Sequence, residues 1–348
     1  MAKARDQSRF GTGHDDGLEA LRPLDAGGSM SVDDLVRGMA NTAFGGRRLG
    51  EAADVFEAMV SDPDCFRVVT VSGAMTIAKQ GLLLCEMIDQ GWVQALVTTG
   101  ALMTHGLVEG AGKLHFKHRP EMRDEELYTR GYNRVYDTIE LEKNLDDTER
   151  TLQGALDDLP DDTLLSSRLI LHKLGAYLAK HAPERAILKS AFERKVPVYV
   201  PAFTDSELGL DLAIYSHTRA RQGRSRVRFD PFLDLDDFAD RIRAHETLGI
   251  FTIGGGVPRN WAQQVGPYLE ILRARLGVDE PVRRYKYAVR ICPEPEHWGG
   301  LSGCSYSEGV SWGKFVPESE GGRFAEVYAD ATIAWPILLR AVLERSAA

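Results

Sequence analysis

Cysteine is scarce and scattered. Cys65, Cys85, Cys292 and Cys304 are the only four in 348 residues, and no two stand at C-x-x-C or another metal-type spacing. A disulfide-stapled scaffold and a cysteine zinc site are thereby excluded, and four separate thiols point to a reducing, cytoplasmic setting. No run of roughly 18 apolar residues occurs, and residues 1–30 lack the apolar stretch of a secretory signal, so neither a membrane span nor a leader is expected. Positive charge is also in deficit: 42 Lys and Arg against 51 Asp and Glu give a formal net charge of −9. Nucleic acid is therefore not the expected partner, because phosphate binding needs clustered cations; amines are mildly favoured instead. A G-x-G-x-x-G run after the first strand is missing too, so the usual dinucleotide fingerprint is absent. What remains, 43% hydrophobic and 27% charged residues, is ordinary for a globular protein with a sizeable core.

Residues 1–30 are rich in Gly, Asp and Arg without apolar periodicity and read as a mobile arm, with residues 31–348 forming one α/β unit. Ser31, followed by Asp33 and Asp34, marks a helix start, and Leu35, Val36 and Met39 give its apolar face up to a turn at Phe44-Gly45-Gly46. A second helix follows through Val55, Phe56, Met59 and Val60. Phe66–Val71 then reads as a buried strand opening into Ser72-Gly73, and Ala95–Thr98 repeats the pattern into Thr99-Gly100-Ala101. Further strands are expected at Val196–Pro201, Leu248–Ile253, Tyr285–Ile291 and Ala325–Ala329, with a closing helix at Ile333–Leu343. Strands that alternate with helices and end in small-residue turns predict a Rossmann-like, mostly parallel sheet flanked by helices. Residues 113–162 are strongly charged with little β-pattern and read as a surface helical insertion. His105, His115 and His118 match no metal-ligand spacing, so no metal is expected, and the closely spaced aspartates of Phe229–Asp240 lack the glycine and terminal glutamate of a calcium loop.

The chemistry concentrates near the C-terminus, where Glu308-Gly309-Val310-Ser311-Trp312-Gly313-Lys314-Phe315 puts a carboxylate, an indole and one amine within seven residues. Apolar bulk beside Lys314 would desolvate its ammonium and favour the neutral, nucleophilic amine that forms Schiff bases. The same residues also fit a lysine merely lying along an exposed tryptophan. Small-residue turns at Ser72-Gly73, Thr99-Gly100-Ala101 and Gly254-Gly255-Gly256 stand where open α/β sheets bind ligands, although a triple glycine is often only a tight turn. Asp205 and Asp330, at other strand ends, are candidate ribose or adenine ligands or plain surface acids.

Five ordered motifs, E-x-V-S-W-G-K at Glu308 to Lys314, V-Y-A-D-A at Val327 to Ala331, the triple glycine at Gly254, V-P-A-F-T-D-S-E-L-G at Val200 to Gly209 and V-T-T-G-A at Val97 to Ala101, resemble the deoxyhypusine synthase family from about Ala43 onward. The further patterns G-G-G-V-P-R-N-W-A-Q-Q and W-G-G-L-S-G-C resemble its bacterial branch. The resemblance implies NAD as cofactor, held by Ser72, Gly73, Thr99, Gly100, Ala101, Asp205, Gly254, Gly255, Gly256, Ser302, Asp330 and Ala331. It implies an aminobutyl group carried from spermidine through an imine on Lys314 to an acceptor amine, with Glu308 binding an ammonium and Trp312 packing on the aliphatic chain. It further implies a homotetramer with sites between subunits, the N-terminal arms reaching a neighbouring site. The departures are specific: His105 stands where the family has a glutamate, Asn260 where it has a proton-handling histidine, Gln264 where it has an asparagine, and Leu210 and Leu301 where it has polyamine-binding aspartates. His105 and Asn260 can still shuttle or orient protons. Lost carboxylates beside a retained lysine favour a changed substrate, with a small-molecule acceptor and homospermidine-type synthesis. The alternatives are an authentic deoxyhypusine synthase acting on a translation-factor lysine and a non-catalytic NAD-binding protein.

Overall fold

The computed structural model describes residues 4–347, so residues 1–3 of the arm lie outside the described residues. The helices are α1 Val32–Ala40, α2 Phe44–Ser61, α3 Gly81–Asp89, α4 Gly100–Gly110, α5 Asp124–Thr129, α6 Glu142–Leu156, α7 Ser167–His181, α8 Ile187–Glu193, α9 Glu207–Arg221, α10 Phe232–Arg243, α11 Gly256–Leu276, α12 Tyr306–Ser311 and α13 Ala331–Ala347. The strands are β1 Cys65–Val71, β2 Ala95–Thr98, β3 Phe116–Lys117, β4 Tyr132–Val135, β5 Thr138–Leu141, β6 Leu164–Leu165, β7 Val198–Tyr199, β8 Arg228–Phe229, β9 Thr247–Ile253, β10 Tyr285–Ile291 and β11 Arg323–Val327.

Six strands form one sheet in the order β11-β10-β9-β1-β2-β7, and every neighbouring pair is parallel. This is the expected α/β architecture, and its strands all end on one edge. Alternation along β1 feeds both faces: Val69 and Val71 pack with α2, α3 and α13, while Phe66 and Val68 pack with α10 and α11. Burial on both sides explains why these strands read as continuous apolar runs. The helix at Ser31 starts with a capping box, Ser31 Oγ accepting from Asp34 N while the Asp34 carboxylate accepts from Ser31 N.

Four local expectations are corrected. Phe44-Gly45-Gly46 is the first turn of α2 rather than a separate turn. The strand at Val196–Pro201 shrinks to Val198–Tyr199, because Pro197 and Pro201 cannot donate to a ladder. The last strand is Arg323–Val327, two residues earlier than its apolar pattern suggested. The charged insertion is not purely helical: β3, β5 and β4 form a small antiparallel sheet within it. That sheet is mostly exposed, so its strands carry charge instead of an apolar alternation, but Ile139 and Glu140, on opposite faces of β5, are both buried. Residues 4–30 contain one short 3-10 turn at Gln7–Arg9 and expose Phe10, Leu18, Leu21 and Leu24.

Candidate active site

At the carboxyl edge of the sheet the small-residue turns meet. Thr99 caps α4, its hydroxyl accepting from Leu102 N and donating to Gly73 O at 2.7 Å. Ser72 Oγ accepts from Gly255 N at 3.0 Å and donates to Gly255 O. Gly254 and Gly256 have φ of +77° and +61°, the left-handed region that glycine tolerates. A Cβ on Gly255 would lie 2.5 Å from the Ser302 Cα, so this glycine is required by a backbone in contact. On the other side, a Cβ on Gly100 would strike Ser206, next to Asp205. Ser72, Gly73, Thr99, Gly100, Gly254, Gly255, Gly256 and Ser302 are thus brought together as one connected cradle. Ala101 belongs to the first turn of α4. The N-terminus of α11 has no side-chain cap, which leaves amide donors available to an anion. A glycine cradle beside uncapped amides fits the pyrophosphate of NAD. Asp205 and Asp330 are placed differently, following the two edge strands β7 and β11. Asp330 caps its own helix, accepting from Thr332 N at 2.8 Å, and Ala331 is the first residue of α13.

Lys314 is positioned from below by aromatic packing. Phe315, fully buried, packs against Tyr285, Tyr306 and Phe324, and its ring fills the space a Cβ on Gly309 would need. Gly313 takes φ +69°, and Tyr285 N donates to Lys314 O at 2.9 Å. The lysine is only 8% exposed; its Nζ donates to Asn260 Oδ1 at 3.0 Å and lies 5.9 Å from the Trp312 ring centroid. Burial, assisted by the charge of Arg259, depresses the amine below its ordinary value, while Cys304 and Glu308 oppose that shift. No carboxylate lies within ion-pair distance of Nζ among the described residues, and Glu308 is exposed.

Asn260 and Leu301 line a groove of about 400 Å³ with Val257, Trp261, Gln264 and Tyr268. The loop carrying Leu301 and Ser302 is pinned by two buried arginines that the sequence reading missed. Arg259 donates to the carbonyls of Ser302 and Cys304, at 3.3 and 2.6 Å, and Arg290 reaches the same two oxygens while pairing with Glu326. One loop therefore links the cradle to the groove lined by Asn260, the partner of the Lys314 amine. Arg259 sits inside the motif G-G-G-V-P-R-N-W, but nothing local shows that it turns inward.

His105 lies on α4, beyond the Thr99–Gly100 turn, and its Nδ1 is 3.1 Å from Glu140 Oε2. His115 Nε2 is 2.5 Å from the same oxygen. These three residues gather their ligand-capable atoms within 4.8 Å of one another, a cluster made by tertiary structure that sequence spacing does not reveal. His118 stays apart, near Met122 O. Leu210 is 55% exposed while its neighbour Asp211 is 2% exposed, so the adjacent carboxylate does not replace the missing one. Burial first, then Glu207 and Glu149, push Asp211 up to about 7.

The deoxyhypusine synthase family profile matches residues 34–342. The chain is 33% identical over 319 residues to "Probable deoxyhypusine synthase 2" of Methanosarcina acetivorans, covering 91% of this chain and 88% of that one. It is 31% identical over 313 residues to the "Deoxyhypusine synthase-like protein" of the bacterium Chlorobaculum parvum, covering 88% of this chain and 85% of the relative. A crystal structure assigned as a deoxyhypusine synthase from Entamoeba histolytica superposes with a TM-score of 0.60 at 12% identity, over 94% of this chain and 97% of that one, a likeness of fold alone.

Proposed function

The chain belongs to the deoxyhypusine synthase family, and from that premise we propose that it is an NAD-dependent transferase moving an aminobutyl-type group from a polyamine-like donor, through an imine on Lys314, to a small-molecule amine. Lys314 carries this reading: a buried amine without a carboxylate partner, its charged form disfavoured, held by Asn260 beside an open groove. A lysine lying idly along a surface tryptophan would not be buried. The cradle of Ser72, Gly73, Thr99, Gly100, Gly254, Gly255, Gly256 and Ser302 would hold NAD, with Ala101, Asp205, Asp330 and Ala331 toward its ends. Bound there, NAD supplies an acceptor for hydride from the amine-bearing carbon of the donor.

The protein's own groups do the rest. Asn260 orients the Lys314 amine, Trp312 packs on the donor's methylene chain, and Glu308 attracts its ammonium. Leu210 and Leu301 offer no carboxylate, and each such loss removes a charge-assisted bond worth about 1.5–3 kcal/mol. A donor or acceptor different from that of an authentic deoxyhypusine synthase follows, homospermidine-type synthesis being the specific form. A cytoplasmic homotetramer belongs to the same proposal.

Incubation with NAD and spermidine, putrescine, agmatine or homospermidine, followed by borohydride and intact mass measurement, tests it. A donor-dependent mass gain that maps to Lys314 and is absent in Lys314→Ala is expected. No adduct with any amine despite clear NAD binding would replace it with a non-catalytic NAD-binding role. Modification of a translation-factor lysine in preference to small amines would restore the authentic-synthase reading.

A further inference from the structure

Beside the nucleotide cradle, a chain of polar groups runs from the half-exposed Lys79 inward to His105, and the partners along it assign the hydrogens that matter. Lys79 is donor-only. Its ammonium reaches Glu109 Oε1 at 2.8 Å and His115 Nδ1 at 2.6 Å, so His115 Nδ1 carries the lone pair and His115 Nε2 carries the hydrogen. His115 Nε2 lies 2.5 Å from Glu140 Oε2, an ion-pair approach that is out of line for a hydrogen bond and leaves this nitrogen without a hydrogen-bond partner. The other oxygen, Glu140 Oε1, accepts from Asn144 Nδ2 and Leu141 N, both at 2.8 Å. Against the cost of burial, His105, His115 and Asn144 hold the Glu140 carboxyl well below its ordinary range, and an ionised carboxylate 3.1 Å from His105 Nδ1 requires that nitrogen to carry the hydrogen. Nε2 is then the nitrogen of His105 left with a lone pair, and no protein group engages it among the described residues.

We propose that Glu140 is a positioning residue for His105, fixing the Nδ1–H tautomer so that Nε2 serves as the proton acceptor of the site, with His115 and Lys79 holding the carboxylate in place. The inference rests on the proposed amine chemistry and assigns it a base. Nε2 takes one proton from a substrate ammonium, giving a neutral amine and an imidazolium whose Nδ1–H still faces Glu140. The group standing where the family places a glutamate is thus a neutral acceptor, with the negative charge withdrawn behind it. Glu207, at the start of α9, also faces His105 across the α4–α9 contact and adds to the attraction for a cation there.

His105, His115 and Glu140 are also a zinc-type donor set. Metal-bound histidines, however, direct their second nitrogen to a carboxylate, carbonyl or water. Here that nitrogen of His115 meets an ammonium, which favours the hydrogen-bonded chain.

Long-range 1H–15N correlation on the full-length histidine-labelled protein reads the tautomers directly, with His105→Gln and His115→Gln assigning the signals. The expected result is an Nδ1–H tautomer for His105 in the wild type that shifts toward Nε2–H in Glu140→Gln, and is retained in Glu140→Asp. In the Lys314 trapping assay, Glu140→Gln is expected to slow adduct formation about tenfold to a hundredfold with the half-saturating donor concentration within about twofold, a part of the general-base contribution. An Nε2–H tautomer in the wild type, or one unmoved by Glu140→Gln, overturns the proposal, as does one equivalent of zinc retained by the wild type and lost in His115→Gln. The tautomer needs no turnover, so the absence of any adduct in the wild type would sink the transferase reading without touching this result.

Discussion

Asp211 and Lys314 are both buried and both held toward their neutral forms, yet the consequences differ. For Lys314 neutrality is nucleophilicity. The rate of adduct formation at Lys314 should therefore rise with pH and level off below the ordinary lysine value of 10.5, whereas Asn260→Asp, which sets a carboxylate against the amine, should move that rise to higher pH and slow trapping at neutrality by about tenfold or more. An unchanged profile in Asn260→Asp would show that the contact at 3.0 Å does not govern the amine. For Asp211 neutrality is a stability cost. Its carboxyl is raised from 3.8 to about 7 in the folded state, so between those limits the unfolded chain releases a proton that the folded chain keeps. Stability then falls as pH rises through that window, and the whole loss is present above it. Asp211→Asn removes this loss, and we expect a higher Tm than wild type at pH 8, by a few degrees for about 1–2 kcal/mol, with a smaller difference at pH 5. An equal difference at both values would mean that the carboxyl is not displaced. Burial against α6 also explains why Asp211 is no substitute for an acid at Leu210: on a helix, adjacent residues point about 100° apart.

Two elements place the chemistry, and each is fixed by a glycine that touches something. Gly255→Ala would drive a methyl into the Ser302 backbone, which the Arg259 and Arg290 contacts prevent from retreating. NAD affinity measured by calorimetry should fall by tenfold or more while the thermal transition stays cooperative; near-normal affinity would remove the cradle from the NAD site. Gly309→Ala would press on the Phe315 ring at 2.6 Å, and overpacking of this kind costs about 1–3 kcal/mol. Gly255 was legible in the sequence because the triple glycine marks it, whereas Gly309 falls on the open position of E-x-V-S-W-G-K; the main-sheet strands were legible because burial on both faces makes them continuously apolar. The β3-β5-β4 sheet and the His105–Glu140 contact were not. Exposed two- to four-residue strands carry no apolar period, and Glu140 lies 35 positions from His105, a separation at which local pattern is silent. The inward turn of Arg259 was hidden for the same reason, since its partners are carbonyls of a loop more than forty residues away.

At the scale of the whole molecule, half of the site is built and half is open. The cradle and the groove beside Asn260 share one loop, but Trp312 is 62% exposed and Leu301 48%, so a donor's methylene chain resting on them would be flanked by water on its far side. Desolvation of a polyamine-like chain needs a second wall. A second copy of the chain supplies one if its surface covers the groove, and residues 4–30, which expose Phe10, Leu18 and Leu21, are the segment with apolar groups to spare. Light scattering on the purified protein should then report a multiple of 38.5 kDa. Adduct formation at Lys314 should fall steeply on dilution through the dissociation range, and removal of residues 1–30 should raise the half-saturating donor concentration more than it lowers the maximal rate. A monomer that traps donor with undiminished efficiency at every concentration would show that each chain completes its own site, and the exposed Trp312 would then have to close over the donor within one subunit.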